Sequence, residues 1–279
     1  MKKSTTIILI VACSIIAVLL SMLLIFCLYK NISFGSFKYH VGVSKKLIEK
    51  KEYDYVNNIS IKANMSDVNI KKSTDGNIKV ELYSNHIKNH SISNDSGELK
   101  IFLEDNKRWF NFFRNKNANI VIYLPENYDK EITINSNTGD VNVDSFNLCS
   151  LNVFLDTGDV KAENLETLKA NIKTGDVKVE TIGDLTVSTK TGDVKVNNIN
   201  NYLDINTNIG DIKLDRVLLN NNSNIKSNIG DIKIKSLNGR YVNATSRVGE
   251  VKIENNNRFS DIELTITSDV GDIKVYNEK

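Results

Sequence analysis

One short pattern recurs along the second half of the sequence and constrains the fold more than any other feature. From residue 132 onward, a glycine, an acidic residue and an apolar-x-apolar step occur together eight times, with successive glycines 17 to 22 residues apart. The eight pairs are Gly139 and Asp140, Gly158 and Asp159, Gly175 and Asp176, Gly192 and Asp193, Gly210 and Asp211, Gly230 and Asp231, Gly249 and Glu250, and Gly271 and Asp272. Eight copies at so regular a spacing predict a repeat architecture with one elongated body.

The residues on both sides of each glycine alternate with a period of two. Val187 and Thr189 precede Gly192 at steps of two, and Val177 and Val179 follow Gly175 in the same way, with polar residues between them. This alternation indicates strands that bury one face. We therefore expect each copy to be a strand, a Gly-Asp corner and a second strand.

One such unit buries too little surface to be stable alone, so the copies are expected to stack and share a core. We predict an all-β fold: a β-solenoid, similar to a parallel β-helix, with coils about 4.8 Å apart. In that fold Val177, Val194, Ile212 and Ile232 would be neighbours in the interior. An antiparallel meander with a hairpin turn at each Gly-Asp is the alternative. The near-constant period and phase favour stacked coils.

The recurrent polar residues have two interpretations. The glycine supplies a positive φ or a close backbone approach, and the acid can accept hydrogen bonds from nearby main-chain N–H groups. Alternatively, the row of acids could bind calcium, which takes about six to eight oxygen ligands. Each coil offers one carboxylate, so the structural role is favoured. Lysines at the third position after most glycines should point outward, on the same face as the acids. A solvated face of mixed charge is therefore favoured over a surface that binds anionic polymers.

The N-terminus carries a long apolar run that predicts a membrane anchor. After Lys2 and Lys3, residues 5–29 carry no charge and would span roughly 36 Å as a helix, enough to cross a bilayer. The run is too long and too bulky at its end for a cleaved signal peptide. We predict a single-pass signal anchor over 1–29 in the cell membrane, with the C-terminal body outside the cell.

The rest of the chain divides into three predicted regions. Residues 30–52 are expected to be a juxtamembrane linker with a short helix at 44–52, and residues 53–131 an N-terminal β region that caps the core. Within it, Ser66 and Asp67 match the repeat with serine in place of glycine, which indicates a degenerate first copy. Residues 132–279 are the Gly-Asp repeat solenoid.

A basic and aromatic segment stands out within the capping region. It contains Trp109, Phe110, Phe112 and Phe113 between lysine and arginine residues. These side chains could cover the end of the core, which is the favoured interpretation, or they could contact a membrane, a glycan or a protein partner.

Composition and spacing exclude several classes of function. The net charge of +2 does not indicate a nucleic-acid-binding protein, which would need a clustered basic surface. His40, His86 and His90 have no metal-site spacing, and no phosphate-binding loop or nucleophile elbow is present. We predict no enzymatic activity and no cofactor or metal. Cys149 is the only cysteine outside the apolar run, and its apolar neighbours indicate a buried, inert thiol.

Several of these motifs together resemble a known family. The string Asn119-Ile-Val-Ile-Tyr-Leu-Pro125 followed by serial Thr-Gly-Asp-Val-Lys-Val copies is similar to the bacterial "putative adhesin" β-strand-repeat family, a domain of unknown function often found behind a transmembrane helix. The resemblance implies an envelope location. We expect a non-enzymatic envelope scaffold or adhesin-like module with an envelope polymer or protein as partner. The alternatives are a self-assembling scaffold of bactofilin type on the cytoplasmic face and, less favoured, an enzyme acting on envelope polysaccharide.

Overall fold

The computed structural model describes residues 45–85, 89–104 and 118–278. All the regular structure in these ranges is β, which confirms the all-β class. The described residues contain no helix long and apolar enough to cross a membrane. The anchor predicted for 1–29 lies outside them.

Nineteen strands follow one another along the described chain. They are β1 (Leu47–Tyr53), β2 (Asn58–Lys72), β3 (Ile78–Tyr83), β4 (Asn89–Asp95), β5 (Glu98–Glu104), β6 (Ala118–Leu124), β7 (Glu131–Thr138), β8 (Val141–Val143), β9 (Phe146–Thr157), β10 (Val160–Thr174), β11 (Val177–Thr191), β12 (Val194–Ile209), β13 (Ile212–Val217), β14 (Ser223–Ile229), β15 (Ile232–Leu237), β16 (Tyr241–Val248), β17 (Val251–Glu254), β18 (Glu263–Val270) and β19 (Ile273–Asn277).

Each repeat copy contributes one arm to each of two sheets. The arms that follow the Gly-Asp corners form sheet A, which in the repeat region runs β8, β10, β11, β12, β13, β15, β19 and β17. The arms that precede the corners form sheet B, which runs β7, β9, β10, β11, β12, β14, β18 and β16. The long strands β10, β11 and β12 bend from one sheet into the other. The inward side chains of both sheets form one core cluster.

The pairing between copies is that of stacked coils. Val177 lies opposite Val194, Val194 opposite Ile212, and Ile212 opposite Ile232. All four side chains are almost completely buried, and each such burial contributes about 1.5–3 kcal/mol. These neighbours are the ones that the repeat phase predicts. Every pairing between copies is parallel, so the antiparallel meander is wrong.

The last two copies exchange places in the stack. β18 and β19 pair with β14 and β15 on one side and with β16 and β17 on the other. The copy that contains Gly249 therefore forms the outermost coil, although it precedes the copy of Gly271 in sequence. Asn256, in the connection between these copies, covers part of the outer edge: its side chain accepts from Val242 N–H (2.8 Å) and donates to Val242 O (2.9 Å).

The degenerate first copy predicted at Ser66 and Asp67 is confirmed. β2 pairs in parallel with β7 and β8, so that Ile59 lies opposite Ile132 and Val68 opposite Val141. On its other side β2 pairs with β5 and β6, which come later in the chain. The strands β1, β3 and β4 then extend this end by antiparallel pairing.

The short helix expected at 44–52 is wrong, because Leu47–Tyr53 is strand β1. Its pairing with β3 outweighs the weak local helix preference of the segment. β1 of sheet A is also tied to β4 of sheet B across the end of the core. Lys51 Nζ donates to Ile92 O (2.6 Å), and His90 Nε2 lies 3.0 Å from Glu49 Oε2.

Candidate functional site

The acids of the Gly-Asp corners form a continuous row, which we call the Asp ladder. In each pair of stacked coils the main-chain N–H of one acid donates to Oδ1 of the acid before it, at 2.8–3.3 Å. The acids accept main-chain N–H groups, as the structural interpretation expects, but each bond joins two coils and does not fix the acid's own turn. In stacking order the row is Asp67, Asp140, Asp159, Asp176, Asp193, Asp211, Asp231, Asp272 and Glu250.

The corner glycines are required by the closeness of the coils. Gly175 has a φ of +148°, and a Cβ added there would lie 1.9 Å from the carbonyl oxygen of Gly158. At each of the other corners, an added Cβ would likewise meet the carbonyl oxygen of the corner residue in the adjacent coil. Ser66, at the equivalent position of the first copy, does not have the positive φ of the corner glycines, and its cross-strand neighbour is Ala118 of β6.

The lysines after the corners pair with the Asp ladder at two places. Lys213 Nζ lies 3.0 Å from Asp211 Oδ2, and Lys274 Nζ lies 3.0 Å from Asp272 Oδ2. The pKa of Asp211 is lowered, first by the N–H of Asp231 and then by Lys213. This face therefore carries mixed charge, as predicted. Among the described residues, no group of three or more His, Cys, Asp and Glu side chains could hold a metal ion.

Cys149 is buried and unreactive in character, as predicted. Its thiol is completely inaccessible, and Sγ donates to Lys130 O at 3.4 Å. Burial raises the pKa of the thiol to about 12, so the thiolate is scarce at neutral pH.

An open groove of about 320 Å³ lies on the outer face of sheet B, beside the corners of the first coils. Strands β2, β7, β9 and β10 provide its walls, so the groove is built on sheet and not on loops. The exposed ring of Phe154 is its only aromatic side chain. We call this feature the Phe154 groove; its lining residues are Lys62, Ala63, Asn64, Asn135, Ser136, Asn137, Phe154, Leu155, Asp156, Asn171 and Lys173.

Carboxamides surround the aromatic ring. Asn135 of β7 and Asn171 of β10 lie directly opposite Phe154 on its two sides, at the strand spacing of about 4.8 Å. In the neighbouring row Asn137 Nδ2 approaches Asn64 Oδ1 at 3.5 Å. Each carboxamide offers two donors and an acceptor, so the walls can hydrogen-bond in both directions.

The charges of the groove nearly cancel. Lys173 Nζ lies 2.6 Å from Asp156 Oδ1, which leaves Lys62 as the unpaired charge of this lining. The groove contains a single carboxylate, whereas glycoside hydrolysis ordinarily uses two carboxyl groups. Its carboxamides and its aromatic ring can contact a polar ligand.

The Phe154 groove was not predicted from the sequence, although a signal was present. The outward position four residues before each corner glycine is aromatic in one copy alone; in chain order it holds Asn135, Phe154, Asn171, Ser188, Asn206, Lys226, Thr245 and Thr267. Phe102 of β5 continues the same outward row, because it pairs with Lys62, which in turn pairs with Asn135. The predicted contact residues Trp109, Phe110, Phe112 and Phe113 lie outside the described residues.

Comparisons with solved structures give distant matches. A "putative cell adhesion protein" from Clostridium sporogenes is 20% identical with a TM-score of 0.31, and covers 84% of this chain and 100% of its own. A "putative adhesin" from Bacteroides fragilis is 18% identical with a TM-score of 0.41, at 83% and 98% coverage. A "putative lipid binding protein" from Parabacteroides distasonis is 16% identical with a TM-score of 0.35, at 83% and 96% coverage.

Among curated proteins no relative was found for this sequence. A family model does match: the family described as Toastrack DUF4097 matches residues 56–180 and again residues 161–278. The two matches together span the strands from β2 to β19 and most of the chain. The resemblance to a β-repeat family of unknown function is thereby confirmed, and the chain belongs to the Toastrack DUF4097 family.

Proposed function

We propose that this protein is a non-enzymatic binding module of the cell envelope, tethered by an uncleaved N-terminal anchor and exposed on the outer side of the cell membrane. The observation that carries the proposal is the Phe154 groove, an open site with one aromatic ring, four carboxamides and nearly balanced charge. The aromatic ring offers a stacking surface, and the carboxamides offer hydrogen-bond donors and acceptors to a ligand.

The stacked fold supports this role by holding the groove in a fixed shape. Its walls are strands whose inward residues, such as Ile134, Val153 and Ala170, are almost fully buried. Parallel pairing and the Asp ladder then fix the spacing of the outward residues. A ligand consequently meets a preformed surface and pays little ordering entropy.

The tether is inferred from residues 5–29, which carry no charge over a length sufficient to cross a bilayer. The bactofilin-type alternative requires open solenoid ends that stack on one another. Asn256 at one end and the β1–β4 contacts at the other cover part of those ends. Because these contacts cover part of the unpaired strand edges, they favour the tethered module over a filament.

Two measurements on intact cells test the proposal. A reporter enzyme that works only outside the cytoplasm should be active when it is fused after Lys279, and one that works only in the cytoplasm should be inactive there. Protease added to intact cells should remove the C-terminal body. Replacing Leu19 and Leu20 with Arg should release the chain from the membrane fraction, whereas Lys30→Arg should not. A body protected from protease until the cells are lysed would overturn the exposed location and favour the cytoplasmic scaffold.

A further inference from the structure

We propose that the Phe154 groove binds an uncharged sugar chain, laid along the stacking axis between Phe154 and Phe102. This inference rests on the proposed function, because it names the class of ligand that the tethered body would hold. Phe154 is 46% exposed and Phe102 is 38% exposed. Each ring has polar side chains as its cross-strand neighbours in this outward row, so it offers an isolated apolar surface among polar groups.

The spacing of the two rings indicates a ligand with several units. Phe102, Lys62, Asn135 and Phe154 occupy four adjacent strands of sheet B in one outward row. Three strand spacings separate the rings by about 14 Å. A disaccharide cannot reach both rings, whereas a tetrasaccharide can. A linear chain parallel to the stacking axis would contact both.

The polar groups around Phe154 and beside the row match hydroxyl and acetamido groups. Asn135 and Asn171 flank Phe154, and Asn64 and Asn137 form the next row toward the corners. Each carboxamide can donate to one sugar oxygen and accept from a neighbouring hydroxyl. The apolar face of a sugar ring can meanwhile stack on the aromatic ring.

The same lining disfavours other classes of ligand. A polyanion needs several cations, and here Lys173 is paired with Asp156, so that only Lys62 remains. An extended peptide adds to an exposed sheet edge through its main chain, whereas this groove lies on a sheet face. A lipid chain would meet carboxamides over most of its length, and those groups would lose their hydrogen bonds to water.

The test uses the full chain purified in a detergent without sugar groups, titrated with chitobiose, chitotetraose, cellobiose and cellotetraose by calorimetry or ligand-observed NMR. We expect saturable binding of at least one tetrasaccharide, tighter than that of its disaccharide. Phe154→Ala should weaken it about tenfold or more. Phe102→Ala should abolish the advantage of the tetrasaccharide and leave disaccharide binding unchanged.

Phe259→Ala is the matched control, because Phe259 is 97% exposed on a connection outside the groove. It should leave every affinity unchanged, and all three variants should keep the thermal transition of the parent chain. Absence of binding to all four sugars, or binding that Phe154→Ala does not change, would overturn the inference. Tighter binding of polyphosphate, titrated in the same way, would also overturn it. Sugar binding by a body that protease cannot reach on intact cells would overturn the exposed location instead, so the two failures are distinguishable.

Discussion

The carboxylate of Asp176 accepts a hydrogen bond from the main-chain N–H of Asp193 in the next coil, over 2.8 Å between Oδ1 and N. The same contact recurs at every corner of the stack. Each acid therefore stabilises the coil that follows it, not its own turn. The acid of the outermost coil has no following coil to hold.

This asymmetry predicts different costs for chemically similar substitutions. Asp176→Ala should lower the free energy of unfolding by about 1 kcal/mol, because the N–H of Asp193 loses its charged acceptor. Asp176→Asn should retain most of the stability, since its Oδ1 can still accept. Glu250→Ala, at the outermost coil, should change stability by less than about 0.5 kcal/mol. Urea unfolding measures all three, and equal losses for Asp176→Ala and Glu250→Ala would contradict the ladder.

The corner glycines should tolerate no side chain. A Cβ at Gly175 would meet the Gly158 carbonyl oxygen at 1.9 Å, and neither backbone can move without separating two coils. Gly175→Ala should cost about 3 kcal/mol or more, or prevent folding. Gly76 also has a positive φ (+76°) but nothing lies within 4 Å of its Cβ position, so Gly76→Ala should cost only about 1 kcal/mol. Thermal unfolding compares the pair, and similar shifts would show that backbone strain alone decides.

The Asp ladder should make stability depend on acid pH. Hydrogen bonds from the N–H of Asp231 and of Glu250 are the largest causes that lower the pKa of Asp211 and Asp272, respectively, below the usual value of 3.8. A lowered folded-state pKa means that the unfolded chain takes up its protons first as the pH falls. The contribution is complete above the unfolded-state pKa and is lost as the pH falls through the lower folded-state pKa.

We therefore expect a free energy of unfolding that is level down to about pH 5 and declines below it. Asp211→Asn keeps an acceptor for Asp231 N–H but cannot titrate, so its decline should be shallower. Asp272→Asn should behave in the same way, and the double variant should be shallower still. Denaturant unfolding at a series of pH values measures how steeply the free energy of unfolding declines. If the parent chain and the double variant declined equally, Asp211 and Asp272 would make no contribution to the pH dependence.

The positions that face the core could be predicted from the sequence, because every copy has the same spacing between its glycine and its apolar residues. Val177 and its counterparts recur at a fixed distance from glycine, and a strand period of two allows only one face to be buried. Neighbour order is different. The copies of Gly249 and Gly271 offer the same pairing pattern to Gly230, so nothing in the periodicity shows which lies outermost. Glu250 was the available signal, since only the outermost acid is freed from holding a next coil.

Outward positions were predictable only in part. The alternation assigns Phe154 to the outer face but does not say that Asn135 and Asn171 flank it, because that requires the register between coils. Strand β1 was missed for a related reason. The sequence Leu47–Tyr53 has only a weak local preference, and that preference is for helix. The pairing with β3 that makes the segment a strand is a tertiary contact, which the local sequence does not show.

A row of buried hydroxyl groups gives the last prediction. Thr189, Thr207, Ser227 and Ser268 lie opposite one another in successive coils, and none of their hydroxyls has a hydrogen-bond partner among the described residues. Thr207 is completely buried, so its hydroxyl is desolvated without compensation. Thr207→Val keeps the shape and removes that cost. The free energy of unfolding should stay unchanged or rise by up to about 1 kcal/mol.

Ile205→Val, two residues earlier on the same buried face, is the control. It removes one methylene and should lower the free energy of unfolding by about 0.5–1.5 kcal/mol through the small cavity that it leaves. Urea unfolding of both variants therefore gives opposite signs if the row of hydroxyls is a cost of the fold. A loss of about 1 kcal/mol or more in Thr207→Val would mean instead that the hydroxyl makes a stabilising hydrogen bond inside the stack.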